Sequence, residues 1–574
     1  MLIPLTIFLF LLIPLVMLVT YLVRPRFNVQ GFIAVLTVLA GWILVLLARP
    51  DLTRQISLPQ WQPTSLFTIS PALLIDASSW YFALAVTSLA LSAVITSIAQ
   101  LGRNPLSEQA ISQEHVPQAE EPNVAGVSDH TIQPSTITGE QPTPGVFLWA
   151  PILALTSLGL LAVTAGNLLT MLLAWSALDI IELIILLGQM TQSRTRERII
   201  LAFSARMAGI CIVLIAGVML RASGASLTFE SVSPPISTLL IIAAGLRLGV
   251  LPLHLPFTSG LPINRNLGTI LRLVPTASSY ILLVRLSSVG VSGVITPYLL
   301  GFSILAGVYA AVNWLRANDE LDGRPYWLLG TSSLVVLAAI LRQPAACLAW
   351  GIASLLSGGL IFSMPLRHKN LLPLALLGLI NLSALPFTPV WQGTALYQFS
   401  PVFGLNLTVF ALFSFFFLFI QAFLLAGFIR HAMRGIFPVI EGSSGHIERW
   451  VWILYPLGLI LIIITHLLIG WLIVPNTHEV AVSGWIMGPV ALVINGFILY
   501  FSWRYPQSLH PALDANIRSA WDRLLSLEWL YRLLWRFFRT FSRLFALFSS
   551  ILEGDGGLLW ALVLFGLIFV FLQR

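Results

Sequence analysis

Stretches such as LIPLTIFLFLLIPLVMLVTYLV (residues 2–23), with no charged residue in twenty-two, recur along the whole chain and decide what it can fold into. A helix of about 20 apolar residues matches the ~30 Å hydrocarbon core of a bilayer. With no water to satisfy backbone amides there, only helices or a closed barrel can cross. Runs of this length, rather than alternating segments of about 10 residues, specify helices. Composition agrees: 57% of the 574 residues are hydrophobic and only 9% charged, against about 25% charged in a soluble domain.

Sixteen spans are expected, at 2–23, 31–48, 80–101, 146–165, 168–189, 199–220, 236–254, 268–286, 295–315, 326–341, 345–364, 371–394, 405–429, 451–474, 482–502 and 557–573. Arginine placement tests this count. If successive loops alternate sides, one side carries Arg24, Arg26, Arg103, Arg194, Arg196, Arg198, Arg265, Arg316, Arg324, Arg367, Lys369, Arg430, Arg434, Arg449 and every arginine of 504–543. The other carries Arg49, Arg54, Arg221, Arg342 and Arg574. The positive-inside rule then turns both termini away from the cytoplasm, in what is expected to be a bacterial inner membrane. The net charge of +7 thus reflects topology rather than nucleic-acid binding.

The N-terminal run lacks a basic leader and a small-residue cleavage site and is read as a retained first span. Residues 102–145 are polar, Pro-rich and net acidic, the composition of a disordered cytoplasmic loop. Within 505–551, Arg532, Arg536, Arg539 and Arg543 step by four, three and four, so they share one face of a helix whose other side is rich in Leu and Phe. Such a helix is expected to lie in the interface, its arginines reaching lipid headgroups or a neighbouring subunit. Cys211 and Cys347 lie in apolar runs and form no metal or disulfide pattern; no nucleotide fingerprint, haem motif or nucleophile constellation is evident. No metal or catalytic residue is expected.

Two spans contain paired prolines: Pro252 and Pro256 in GVLPLHLPF, and Pro386 and Pro389 in NLSALPFTPVW. Proline removes a backbone donor and clashes with the preceding turn, so both helices should break. Interrupted helices five spans apart suggest an inverted repeat.

Intramembrane charges are few. Asp179 and Glu182 sit three residues apart on one face of the fifth span, and Arg247, Arg272 and Arg285 fall within or near spans. A charge at the bilayer centre costs about 3 kcal/mol or more unless paired, so Arg247 is expected to pair with Asp179 or Glu182. His254 is expected either to be held by backbone groups freed at the prolines or to act in a relay, and His466 to be hydrogen-bonded locally. Asp76, in DASS, reads as a helix cap.

Several stretches resemble the antiporter-like membrane subunits of respiratory complex I (NADH:quinone oxidoreductase), Mrp-type cation antiporters and membrane-bound hydrogenases. They are LLIDASSWYFALAVTSLAL (73–91), GNLLTMLLAWSALDIIELIIL (166–186), the broken GLRLGVLPLHLPF and SALPFTPVW, and the amphipathic stretch before the last span. The resemblance implies N-terminal spans at 1–101, repeats at 146–286 and 295–429, two further spans within 451–502, a lateral helix at 505–551 and a final span at 557–574. It implies membrane subunits of a redox-driven or Mrp-like complex as partners, with any quinone, flavin or iron–sulfur centre in those subunits and no cofactor in this chain.

The departures carry most information. Where the family has a relay glutamate after the fifth-span tryptophan, this chain has Ser176. Its lysines in spans seven, eight and twelve correspond to Arg247, about Thr276 and about Thr394, and in span eleven Ser354 and Gly358 replace a His and a Lys. Lys369, in a loop, is the chain's sole lysine. A buried lysine can release a proton because desolvation lowers its pKa; arginine, with a pKa above about 12, does not. The expected function is therefore a largely structural, relay-degenerate subunit. The alternatives are an active proton or sodium conduit through Asp179, Glu182 and His254, or a membrane partner in an inorganic-carbon uptake assembly.

Overall fold

The computed structural model describes residues 2–23, 30–50, 53–58, 70–101, 146–190, 193–257, 263–364, 371–398, 406–433, 451–473, 481–504, 532, 533, 536, 539, 540, 542, 543 and 562–565. The expected loop at 102–145, the loop cations Arg24, Arg26, Arg367 and Lys369, and most of 505–551 and 557–574 lie outside these residues.

The chain is an all-α polytopic membrane protein. Its helices are α1 (Leu2–Val23), α2 (Gln30–Leu47), α3 (Ala77–Leu101), α4 (Val146–Val163), α5 (Leu168–Gln189), α6 (Ser193–Ala222), α7 (Pro234–Arg247), α8 (Arg265–Leu286), α9 (Thr296–Arg316), α10 (Arg324–Ile340), α11 (Pro344–Phe362), α12 (Leu372–Leu382), α13 (Leu407–Met433), α14 (Val451–Ile473) and α15 (Ala481–Arg504). Among the described residues, ten helices are long and apolar enough to cross a membrane. Proline stands in the first turn of α7, α9, α10 and α11, where its missing N–H is no loss and its fixed φ suits the helix.

Two helices stop short of a full crossing. The seventh, expected over 236–254, ends at Arg247, and the twelfth, expected over 371–394, ends at Leu382. Fourteen residues of α7 span about 21 Å, less than the bilayer core. After α12 the chain passes through left-handed backbone at Ala384 (φ 54°) and Phe387 (φ 66°) and resumes as a 3₁₀ turn at Trp391–Tyr397.

Burial separates an inner from an outer set of helices. In α8 and α11, 94% of the most apolar window is inside the protein, and in α3 89%, against 28% in α1. Helices α3, α8 and α11 pack on one another, with α10 against α11, so the interior is helix on helix with lipid facing only the outer ring. Indole donors fix some contacts: Trp80 Nε1 donates to the Val45 carbonyl at 2.7 Å, and Trp42 Nε1 to Ser88 Oγ at 2.8 Å.

A short antiparallel pair, β1 (Arg54–Ser57) with β2 (Ala72–Ile75), lies ahead of α3. Ala72 accepts from Gly166 N and Leu74 N donates to Thr164, tying β2 to the α4–α5 connection. Asp76 caps α3: its Oδ1 accepts from Ser79 N at 2.8 Å while Ser79 Oγ accepts from Asp76 N.

Residues Met1–His510 form one compact unit and Pro511–Arg574 a second. Within the second, Arg532, Arg536, Arg539 and Arg543 are helical and exposed, as are Leu562–Phe565.

Candidate functional site

Helix α5 begins at Asn167, whose side chain accepts from Thr170 N at 2.8 Å. From there Trp175, Asp179, Glu182 and Leu186 follow at steps of four, three and four, one inward face; Leu173, Ile180 and Ile184 point outward and are exposed. Both carboxylates are fully buried. An ionised carboxylate there needs a cation, and three arginines from three other helices supply it.

Arg247, the last residue of α7, grips Asp179 with two parallel bonds, Nη1 to Oδ2 at 2.5 Å and Nη2 to Oδ1 at 3.0 Å, and its guanidinium lies 4.1 Å over the Trp175 ring. Arg206 of α6 donates through Nη1 to Glu182 Oε2, with its Nε 3.8 Å from Asp179 Oδ1. Arg272 of α8 donates to the other oxygen of Glu182 at 2.8 Å and stacks 4.3 Å over Phe257. The three arginines are 5–7% exposed. Close approach of α6 and α7 depends on Gly209, where an added Cβ would lie 2.9 Å from Arg247 Cγ and 3.0 Å from the Ala243 carbonyl.

The helix breaks beside this charge. Leu248 N still donates to the Ala244 carbonyl, then Gly249 adopts φ +79° and the chain turns, with Val250 N and Leu251 N both reaching Gly245 O. Four bonded helices therefore converge on the end of α7, and Arg247 ties the free end of a half-span to α5. Pro252 and Pro256 lie beyond this turn; Pro386 and Pro389 lie in the corresponding stretch after α12.

His254 is buried with Nδ1 2.8 Å from its neighbour Pro252 O. Among the described residues no hydrogen bond or ion pair joins it to the cluster. Sequence reasoning missed Arg206, although an arginine inside the apolar run LAFSARMAGICIVL carries the same signal as Arg247. His466 departs from expectation: its Nε2 is buried without a hydrogen-bond partner among the described residues.

Ser176 turns its hydroxyl to Leu172 O at 2.8 Å, Thr276 to Arg272 O at 2.6 Å, and Thr394 to Trp391 O at 2.6 Å. All three satisfy their own helix turn. Uncharged hydroxyls continue inward from the cluster. Ser332 and Tyr280 hydroxyls lie 2.8 Å apart, Tyr280 and Ser354 2.8 Å, and Ser354 and Thr331 2.6 Å, with Trp327 Nε1 donating to the Ser354 carbonyl. A cavity of about 20 Å³ separates Arg206, Arg247 and Arg272 from Thr276, Ser279 and Ser332, enough for one water-sized occupant.

Elsewhere, Arg265 pairs with Glu320 at 2.7 Å, and the Arg285 guanidinium donates to the Ala165 carbonyl. Asp322, in the loop after α9, has its carboxyl pushed up from the usual range, first by burial and then by the charges of Asp319 and Glu320. Among the described residues no group of three or more His, Cys, Asp or Glu side chains could hold a metal, and Cys211 and Cys347 are free thiols.

No family model and no curated protein matches this sequence. Solved structures do. A chain of the Mrp complex from Dietzia sp. DQ12-45-1b matches at TM-score 0.67 and 13% identity, covering 100% of this chain and 63% of that one, so the present chain spans under two thirds of its length. Respiratory complex I from Thermus thermophilus with bound aureothin matches at TM-score 0.56 and 15% identity over 82% of this chain and 98% of that one. The membrane-bound sulfane sulfur reductase, an archaeal respiratory membrane complex, matches at TM-score 0.61 and 15% identity over 99% of both. The likeness is one of fold, shared with the matched chains of three membrane complexes.

Proposed function

We propose that this chain is an antiporter-like membrane subunit of a multi-subunit, ion-translocating assembly, NADH:quinone oxidoreductase-like or Mrp-like, in which it serves mainly as frame. The carrying observation is that every cation on Asp179 and Glu182 is a guanidinium. A relay group must load and release a proton near neutral pH; arginine holds its own. Two parallel bonds from Arg247 hold the Asp179 carboxylate in one geometry, so the pair locks rather than switches.

On this reading residues 146–286 and 295–429 are the two repeats, each with a helix interrupted in mid-membrane, α7 and α12. Other membrane subunits are the partners, and any redox centres belong to them. The chain sits in a bacterial inner membrane with both termini away from the cytoplasm, and the arginines Arg532, Arg536, Arg539 and Arg543 meet headgroups or a neighbouring subunit.

A second reading, an active conduit through Asp179, Glu182 and His254, draws support from the cavity and from the hydroxyl line Ser332–Tyr280–Ser354–Thr331, which could shuttle protons away from the cluster. Proton flux into vesicles bearing the reconstituted chain decides between them. With a frame role, Asp179→Asn and Glu182→Gln leave the flux at the level of the unsubstituted chain. A loss of flux in either variant, with folded protein recovered, establishes the conduit.

A further inference from the structure

Three guanidiniums share two carboxylates in the cluster, leaving one positive charge without a described counter-charge. Surplus charge inside a bilayer is costly and is normally neutralised nearby. Arg206, Arg247 and Arg272 all line the cavity described above; no Asp or Glu does, and the remaining polar lining is Thr276, Ser279 and Ser332. Within the cluster, Arg247 Nε and Arg206 Nε are buried and make no hydrogen bond among the described residues, and Arg206 Nε comes only within 3.8 Å of Asp179 Oδ1.

We propose that this cavity binds one small inorganic monoanion, of the size of chloride, held between the guanidiniums of Arg206, Arg247 and Arg272. The volume of about 20 Å³ suits a guest of about the size of water, which favours a monatomic anion over a bulkier one. A water molecule could fill the space and accept hydrogen bonds, but it would leave the surplus charge in place. An anion does both, with charge-assisted bonds from arginine donors. The site also explains why the third arginine is tolerated: the cluster of five side chains is electrically complete only with a sixth, diffusible member. The proposal does not depend on whether the cluster conducts ions.

The test uses the full chain purified in lipid nanodiscs and radioactive chloride in equilibrium dialysis, with gluconate replacing chloride at constant ionic strength. The expected result is saturable binding of one chloride per chain and a fall in unfolding temperature when chloride is replaced by gluconate. Arg206→Gln removes the surplus charge and should weaken binding at least tenfold. Thr276→Leu keeps every charge but fills the cavity, and should abolish both the binding and the chloride-dependent stability. Absence of saturable chloride binding in the unsubstituted chain overturns the proposal. So does undiminished binding in Thr276→Leu, and that variant decides the matter should Arg206→Gln fail to fold.

Discussion

At the scale of single residues, the difference between arginine and lysine governs the centre of this protein. Arg247 contributes a planar fork matched to both oxygens of Asp179 and a flat face stacked on Trp175. Removing it strands a buried carboxylate whose next cation, Arg206, is at 3.8 Å. Arg247→Ala should therefore destabilise the chain by about 3–5 kcal/mol. The double variant Asp179→Leu/Arg247→Met should cost less than Arg247→Ala, since neither charge is left alone. Thermal unfolding of the purified chain in one detergent ranks the two, and a double variant weaker than the single one contradicts the pairing as a stability device. Four members of the cluster were legible in the sequence because each is a charge in an apolar run. Arg206 carries the same mark, but the sixth span offered no partner in sequence, and only the packing of α6 on α5 and α7 brings it to Glu182.

At the scale of elements, the existence and order of the helices follow from hydropathy alone, since a bilayer fixes their length. Their interruptions do not. The prolines of GVLPLHLPF mark a break, yet the helix ends five residues before Pro252. The turn is made at Gly249, ahead of the prolines, in a conformation that L side chains avoid. Gly224, at φ +76° with open space around it, provides the comparison. Gly224→Ala should cost about 1 kcal/mol for backbone alone. Gly249→Ala adds a collision with the His254 carbonyl and a 3.0 Å approach to Pro256 Cδ, and should cost about 3 kcal/mol or more. Equal unfolding temperatures for the two variants would mean that the turn beside Arg247 is not constrained as described. The loop after α9 gives a pH effect of predictable sign. Burial and two neighbouring acids raise the Asp322 carboxyl, so the folded state holds that proton more tightly than the unfolded chain. Its favourable contribution is complete below the ordinary aspartate pKa and is lost as pH rises through the raised value. Asp322→Asn should thus stabilise the chain at neutral pH and lose that advantage on acidification, which unfolding temperatures at pH 4 and pH 7 will compare.

At the scale of the whole molecule, the interior that would have to carry ions is divided unequally. The paired acids Asp179 and Glu182 lie where α5, α6, α7 and α8 meet; toward α10 and α11 the hydroxyls of Ser332, Tyr280, Ser354 and Thr331 continue from them. There α3, α8 and α11 are almost wholly enclosed. On the frame role proposed above, what the chain offers an assembly is surface, and the second unit, Pro511–Arg574, carries exposed arginines. Replacing the exposed Arg536, Arg539 and Arg543 together with Gln should leave the unfolding temperature of the first unit unchanged. It should reduce the recovery of other membrane subunits when the tagged chain is purified from its native membrane in mild detergent. The contrasting variant Glu182→Gln disturbs the interior and should keep those subunits. If instead the arginine variant retains every partner while Glu182→Gln sheds them, the assembly is held through the bundle core and the second unit has another task. Because one variant changes exposed arginines and the other a fully buried carboxylate, the pair separates docking through the second unit from docking that depends on the buried charges.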